Sequence, residues 1–218
     1  MVLFVLFVAS LLIVTQHVYS SAPCCMPDKF ESHEYLEASI INLVKSTYLQ
    51  TANVNISFDF TSKKTVAVIY NIKADGKSFP SMSILVDYEA GVAYIVQNNK
   101  CTKSAAPRKM QRACVPEIFK IAETTHFGAG SEMLPVHKYQ YSYGNTTSRF
   151  TVTAKNCYYI SYEAHDSQRP EERPRGEVFG ITLGIKDPSV FSVPALCKKT
   201  ADPQDVPEYQ AGKFHPFV

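Results

Sequence analysis

The 218-residue chain has no tryptophan, and its longest apolar run, Met1 to Val14, is short of the ~20 residues that a membrane-spanning helix needs. No membrane span is therefore expected. Neither sign of charge dominates: 22 Lys and Arg face 20 Asp and Glu, for a formal charge of +2, and the basic residues are scattered. That pattern offers no basic stripe for nucleic acid. The six cysteines form no C-x-x-C, and only Cys24 and Cys25 are close together, which speaks against a zinc site. An H-E-x-x-H pair, a phosphate loop and an EF-hand loop are all missing, and the G-A-G-S-E of residues 128–132 lacks the second glycine of a nucleophile elbow. His33, His126, His137, His165 and His215 are isolated in sequence, so no catalytic base stands out. The chain is not expected to be an enzyme.

What is present points outward from the cell. The apolar stretch and the Val18-Tyr19-Ser20 that follows it read as a secretory signal over residues 1–20, although no Lys or Arg precedes the run. All six cysteines lie beyond it, and an even number in an oxidising compartment implies a disulfide framework, with 15 possible pairings. Residues 21–200 suit a single domain. Residues 201–218 are polar and proline-containing, and read as a tail.

Short alternating runs fill the domain. Val54, Ile56, Phe58 and Phe60 alternate with polar residues as in a half-buried strand, and Thr65–Ile72 is a second β-rich run that ends at Ala74-Asp75-Gly76. Phe79–Tyr88 and Val92–Gln97 form a hairpin that delivers Cys101. Glu34–Leu49 fits neither a helical face nor a strand cleanly. Residues 102–116 read as a basic, solvated connection, and Val115-Pro116-Glu117 as the opening of a short helix that carries Ile118, Phe119, Ile121 and Ala122. His137–Tyr143 and Phe150–Thr153 make a hairpin with a tyrosine stripe, Tyr139, Tyr141 and Tyr143, that is suited to core or to a ligand cavity. A strand follows at Cys157–Ala164, then a charged loop at His165–Gly176. In Gly180–Cys197, Ile181, Leu183 and Ile185 alternate with Gly180, Thr182 and Gly184, so one face is apolar and something packs closely on the other. Asp187-Pro188 ends the run. These signals predict a β-dominated barrel or sandwich with at most two helices.

Three stretches resemble the ependymin family of secreted glycoproteins: L-G-I-K-D-P-S-V-F at 183–191 with Cys197 after it, P-C-C-M-P-D-K-F-E at 23–31, and Cys157-Tyr158. The resemblance implies a mainly β fold, a strongly curved antiparallel sheet in a half-open barrel around an apolar cavity, similar to bacterial lipoprotein carriers and often a homodimer. It implies pairing Cys24 with Cys157 and Cys101 with Cys197, which leaves Cys25 with Cys114. The family's association with calcium makes Asp166, Glu171, Glu172 and Asp187 candidate oxygen ligands, without identifying a metal site.

Asn55-Ile56-Ser57 and Asn145-Thr146-Thr147 are glycosylation sequons; Asn145 follows Gly144 in a predicted turn, and Asn55 lies within a strand. Tyr139, Tyr141, Tyr143, Ile181, Leu183 and Ile185 are the cavity candidates. Two functions compete: a secreted binder of a lipid or fatty acyl chain in a β-cavity, or an extracellular matrix or cell-adhesion protein that acts through surface, glycans and calcium.

Overall fold

A computed structural model of the chain describes residues 23–41, 47–74, 76–168 and 173–198. The expected signal segment, the tail from residue 201 onward, Glu171 and Glu172 lie outside these residues. The ambiguous segment near residue 40 becomes two strands, β1 (Lys29–Ile41) and β2 (Thr47–Asp59), paired antiparallel from Lys29↔Asp59 to Ile41↔Thr47. β3 (Lys64–Ala74), β4 (Lys77–Phe79), β5 (Met82–Asp87), β6 (Val92–Gln97) and β7 (Lys100–Ala105) follow through short turns. The β6–β7 hairpin places Asn98 and Asn99 at φ 52° and 56°, as a two-residue mirror-image turn requires. β8 (Lys120–Phe127), β9 (Leu134–Tyr143), β10 (Thr146–Thr153), β11 (Tyr159–Asp166) and β12 (Arg175–Leu183) complete the sheet. Among the described residues, helix is confined to short 3-10 turns at Gly130–Glu132, Pro188–Phe191 and Ala195–Cys197.

The strand order is β7-β6-β5-β3-β2-β1-β12-β11-β10-β9-β8, with β4 beside β3. The two edges, β7 and β8, are consecutive in sequence. Laid flat, that path would separate them by about 48 Å at ~4.8 Å per strand. Residues 106–119 would have to be almost fully stretched to reach, at ~3.5 Å per residue. They are not stretched: Met110, Ala113 and Val115 are buried in the core, the Val115 N–H donates to the Cys24 carbonyl, and the Phe119 N–H donates to the Pro116 carbonyl. The sheet must therefore curl into a half-open barrel. Its core joins Ile84, Val86 and Ala93 of β5 and β6 to Phe150, Val152 and Tyr159 of β10 and β11, strands far apart in the sheet order.

Behind β3, β6 and β7, the turns at 188–197 cover the opposite face, where Val66 and Leu85 are also buried. Burial on both faces explains the unbroken apolar run of β3. Three disulfides join these layers: Cys24–Cys157, Cys25–Cys114 and Cys101–Cys197, the pairings that the resemblance implies.

Three local expectations are corrected. Residues 102–116 are not a solvated connection: residues 102–105 belong to β7, and Ala106, Met110, Ala113 and Val115 are buried. Residues 115–122 do not form a helix: one turn after Pro116 leads directly into β8, because pairing Ile121 with Tyr139 satisfies the backbone along β9. The Gly180–Ile185 alternation is also interrupted. Gly180 (φ +62°) lies in a bulge opposite Ser32, where the β1–β12 register shifts, and β12 ends at Leu183 before Gly184 (φ +80°). The close approach expected on the glycine face is present at Gly180, where a Cβ would stand 2.7 Å from His33 Cδ2.

Candidate functional site

Register across seven strands places one row of side chains on the concave face. Ala52, Leu36 and Gly176 are successive partners on β2, β1 and β12. Tyr162, Phe150, Tyr139 and Ile121 continue the row through β11, β10, β9 and β8. Because strand side chains alternate faces, aromatic residues in phase on neighbouring strands necessarily meet. The Phe150 ring centroid lies 4.9 Å from Phe119, 5.8 Å from Tyr159 and 6.5 Å from Tyr162, and Phe119 lies 5.5 Å from Tyr141.

The row grades from closed to open. Phe150 is 7% exposed, Tyr139 and Tyr162 are half-buried, and Ile121 at the β8 edge is 50% exposed, with Ile118 beside it in sequence at 56%. At the other end the core and residues 106–119 fill the barrel, so the apolar space is a half-open strip rather than a closed chamber. Burial raises the hydroxyl pKa of Tyr139. Burial pushes Tyr159 and Tyr162 far higher, and the neighbouring Tyr139 and Glu34 add to the two shifts respectively. All three rings stay neutral at physiological pH, as a surface for uncharged apolar matter requires.

One acidic side chain also belongs to the concave face. Glu34 of β1 is 3% exposed between Val54 and Val178, and Ser32, two residues earlier, is 2% exposed opposite Ile56. Sequence reasoning missed both. The one signal was their phase: residues 30, 32, 34 and 36 share a face with Phe30 and Leu36.

Of the cavity candidates, Tyr139 and Tyr141 line the strip and Ile181 packs against the core. Tyr143 does not line it: near the β9–β10 turn, beyond the curl of the sheet, it is 78% exposed. Leu183 is 65% exposed because β12 ends there, and Ile185 is half-buried beyond the strand. Asn145 is exposed in the β9–β10 turn. Asn55 is half-buried, its Oδ1 accepting from the Tyr70 hydroxyl at 3.3 Å and lying 2.6 Å from His33 Nδ1. Asp187 caps the 188–191 turn through the Ser189 N–H (2.9 Å) and hydroxyl (2.8 Å), contacts that lower its pKa. Among the described residues, no three His, Cys, Asp or Glu side chains converge on a metal position.

Comparison with solved structures places the fold. An uncharacterized conserved protein from Thermus thermophilus is similar at TM-score 0.50 and 6% identity, over 76% of this chain and 86% of that one. A LolA superfamily protein from Nitrosomonas europaea is similar at TM-score 0.36 and 8% identity, over 76% and 90% of the two chains. A β-barrel-like protein from Brucella abortus is similar at TM-score 0.35 and 6% identity, over 74% and 100%. No curated protein matches. The Ependymin family model matches residues 77–197, from β4 to the buried Cys197 and through most of the aromatic face. That span is more than half of the sequence, and the chain belongs to the Ependymin family.

Proposed function

We infer that the protein is a secreted carrier or binder of a hydrophobic ligand, a lipid or fatty acyl chain, which lies along the concave aromatic strip and undergoes no catalytic step there. The observation that carries this reading is the open end of the strip: Ile121 is half-exposed beside the ring of Tyr139, its cross-strand partner, and next to them lies the Phe119–Tyr141 ring pair. An apolar surface continuous with the core and left open at one end gives an acyl chain area to bury, at about 25 cal/mol per Å². Three disulfides hold the curl, so the surface is formed before a ligand arrives. The apolar run at Met1–Val14 supports secretion. Organic extraction of the purified protein, followed by mass spectrometry, should recover lipid in stoichiometric amount. Recovery no greater than from a control protein would overturn the reading.

A further inference from the structure

The sheet face opposite the aromatic strip carries a second, chemically different groove of about 560 Å³ across β8–β12. We propose that this groove is a binding site for a hydroxyl-rich, uncharged oligosaccharide. Two adjacent cross-strand rows build it. In the first, Gln140, Arg149, Glu163 and Arg175 are successive register partners from β9 to β12, and Arg175 pairs in turn with Glu37 of β1, beyond the groove's lining. Arg149 donates to Gln140 (3.0 Å) and Glu163 (2.9 Å), and Arg175 donates to Glu37 (2.9 Å). These bonds hold both guanidinium groups in place and still leave them N–H donors for a ligand.

The second row is Glu123, Lys138, Thr151, Ser161 and Glu177. Lys138 is held by Glu123 at 2.8 Å, whereas the side chains of Thr151, Ser161 and Glu177 make no hydrogen bond among the described residues. The groove therefore sets a fixed rail of donors and acceptors beside two uncommitted hydroxyls and a carboxylate.

The charge of the lining selects the ligand class. Lys138, Arg149 and Arg175 are balanced by Glu123, Glu163 and Glu177, so neither a polyanion nor a polycation gains from the field. An acyl chain would strand these polar groups without partners, at a cost of ~1–3 kcal/mol each. A sugar does neither, because each hydroxyl both donates and accepts. Such a saccharide has two sources, a glycan on another molecule or the chain's own glycan at Asn145. Asn145 stands in the β9–β10 turn, and from Tyr143 to Gln140 is about 10 Å along β9 at ~3.4 Å per residue.

The test uses the full mature chain in its glycosylated form and as Asn145→Gln, titrated with a neutral pentasaccharide of mannose and N-acetylglucosamine and read by calorimetry and saturation-transfer NMR. Equal binding to both forms places another molecule's glycan in the groove; binding to Asn145→Gln alone places the chain's own glycan there. In whichever form binds, Thr151→Val, Ser161→Ala and Glu177→Gln together should weaken binding at least tenfold with the unfolding midpoint unchanged, since these side chains hold nothing else. Binding to neither form, or binding that the triple variant leaves unaltered, overturns the proposal.

Discussion

The ring of Tyr162 lies directly on the backbone of Gly176, its cross-strand partner, so closely that a Cβ on residue 176 would overlap the ring. Gly176 has an ordinary strand conformation, and so its lack of a side chain serves packing rather than backbone freedom. The glycine lets the tyrosine lie flat between Leu36 and Phe150 and keeps the concave row continuous. Gly176→Ala should destabilise the protein by about 1–3 kcal/mol through overpacking. Equilibrium urea unfolding would measure it, and Tyr162→Leu in the same chain should recover part of the loss.

Asp59 closes the β2–β3 turn. It is 6% exposed, accepts from the Thr61 N–H, the Thr61 hydroxyl and the Ser62 N–H, and pairs with Lys29 at 3.1 Å. Burial alone would raise its pKa, but the hydrogen bonds from Thr61, Ser62 and Lys29 outweigh it and lower the value from 3.8 to about 2. A carboxylate depressed on folding stabilises fully above its unfolded pKa, and that stability is lost as pH falls through the folded value. Asp59→Asn should therefore cost about 2 kcal/mol at neutral pH. The difference from wild type should shrink between pH 3.8 and about 2 and vanish below that. Chemical denaturation across that window is the check.

Cys101–Cys197 closes a separation of 96 residues and fastens the 195–197 turn behind the β7 edge, with Cys197 fully buried. In the chain-entropy treatment a loop of this length contributes about 4 to 5 kcal/mol. Replacing both cysteines by serine should lower stability on that scale. It should also raise hydrogen exchange over residues 185–198 and the β3, β6 and β7 segments that they cover, because the face that carries Val66 loses its cover. Loss of stability with exchange unchanged there would separate the bond from the packing.

The strands were legible wherever one face of the sheet is buried and the other is wet. Val54, Ile56 and Phe58 announce β2 because polar residues separate them, and Tyr139 and Tyr141 mark the strip for the same reason. Periodicity failed where the chain does something local. At 115–122 the spacing of Ile118, Phe119, Ile121 and Ala122 mimics a helix, yet Phe119 is placed by the long-range ring contact with Phe150, which no local pattern encodes. At 180–185 the alternation is real in sequence but is cancelled by a left-handed glycine at each end, so Ile181 and Leu183 have different fates. Glu34 was illegible because a charge in phase with Phe30 and Leu36 reads as a break in the pattern rather than as a buried carboxylate. The polar groove was hidden because each of its residues, taken alone, is an ordinary exposed strand position; only the register assembles them.

The aromatic strip makes the most direct demand on ligand binding. Ile121 is 50% exposed at the β8 edge, so Ile121→Asp should leave folding nearly intact while placing a charge where an acyl chain would lie. Losing the burial of one isoleucine removes about 1.5 kcal/mol or more, roughly tenfold in affinity for a fluorescent fatty acyl probe. Val68→Asp provides the control: Val68 is 37% exposed on the opposite face, and its substitution should leave probe affinity unchanged. Wild-type affinity for an uncharged acyl probe should also be insensitive to these three rings from mildly acidic to mildly alkaline pH, because burial holds the hydroxyls of Tyr139, Tyr159 and Tyr162 above their ordinary range. Equal losses in Ile121→Asp and Val68→Asp would point to a general surface effect, and an unaffected Ile121→Asp would place the ligand elsewhere than on the strip.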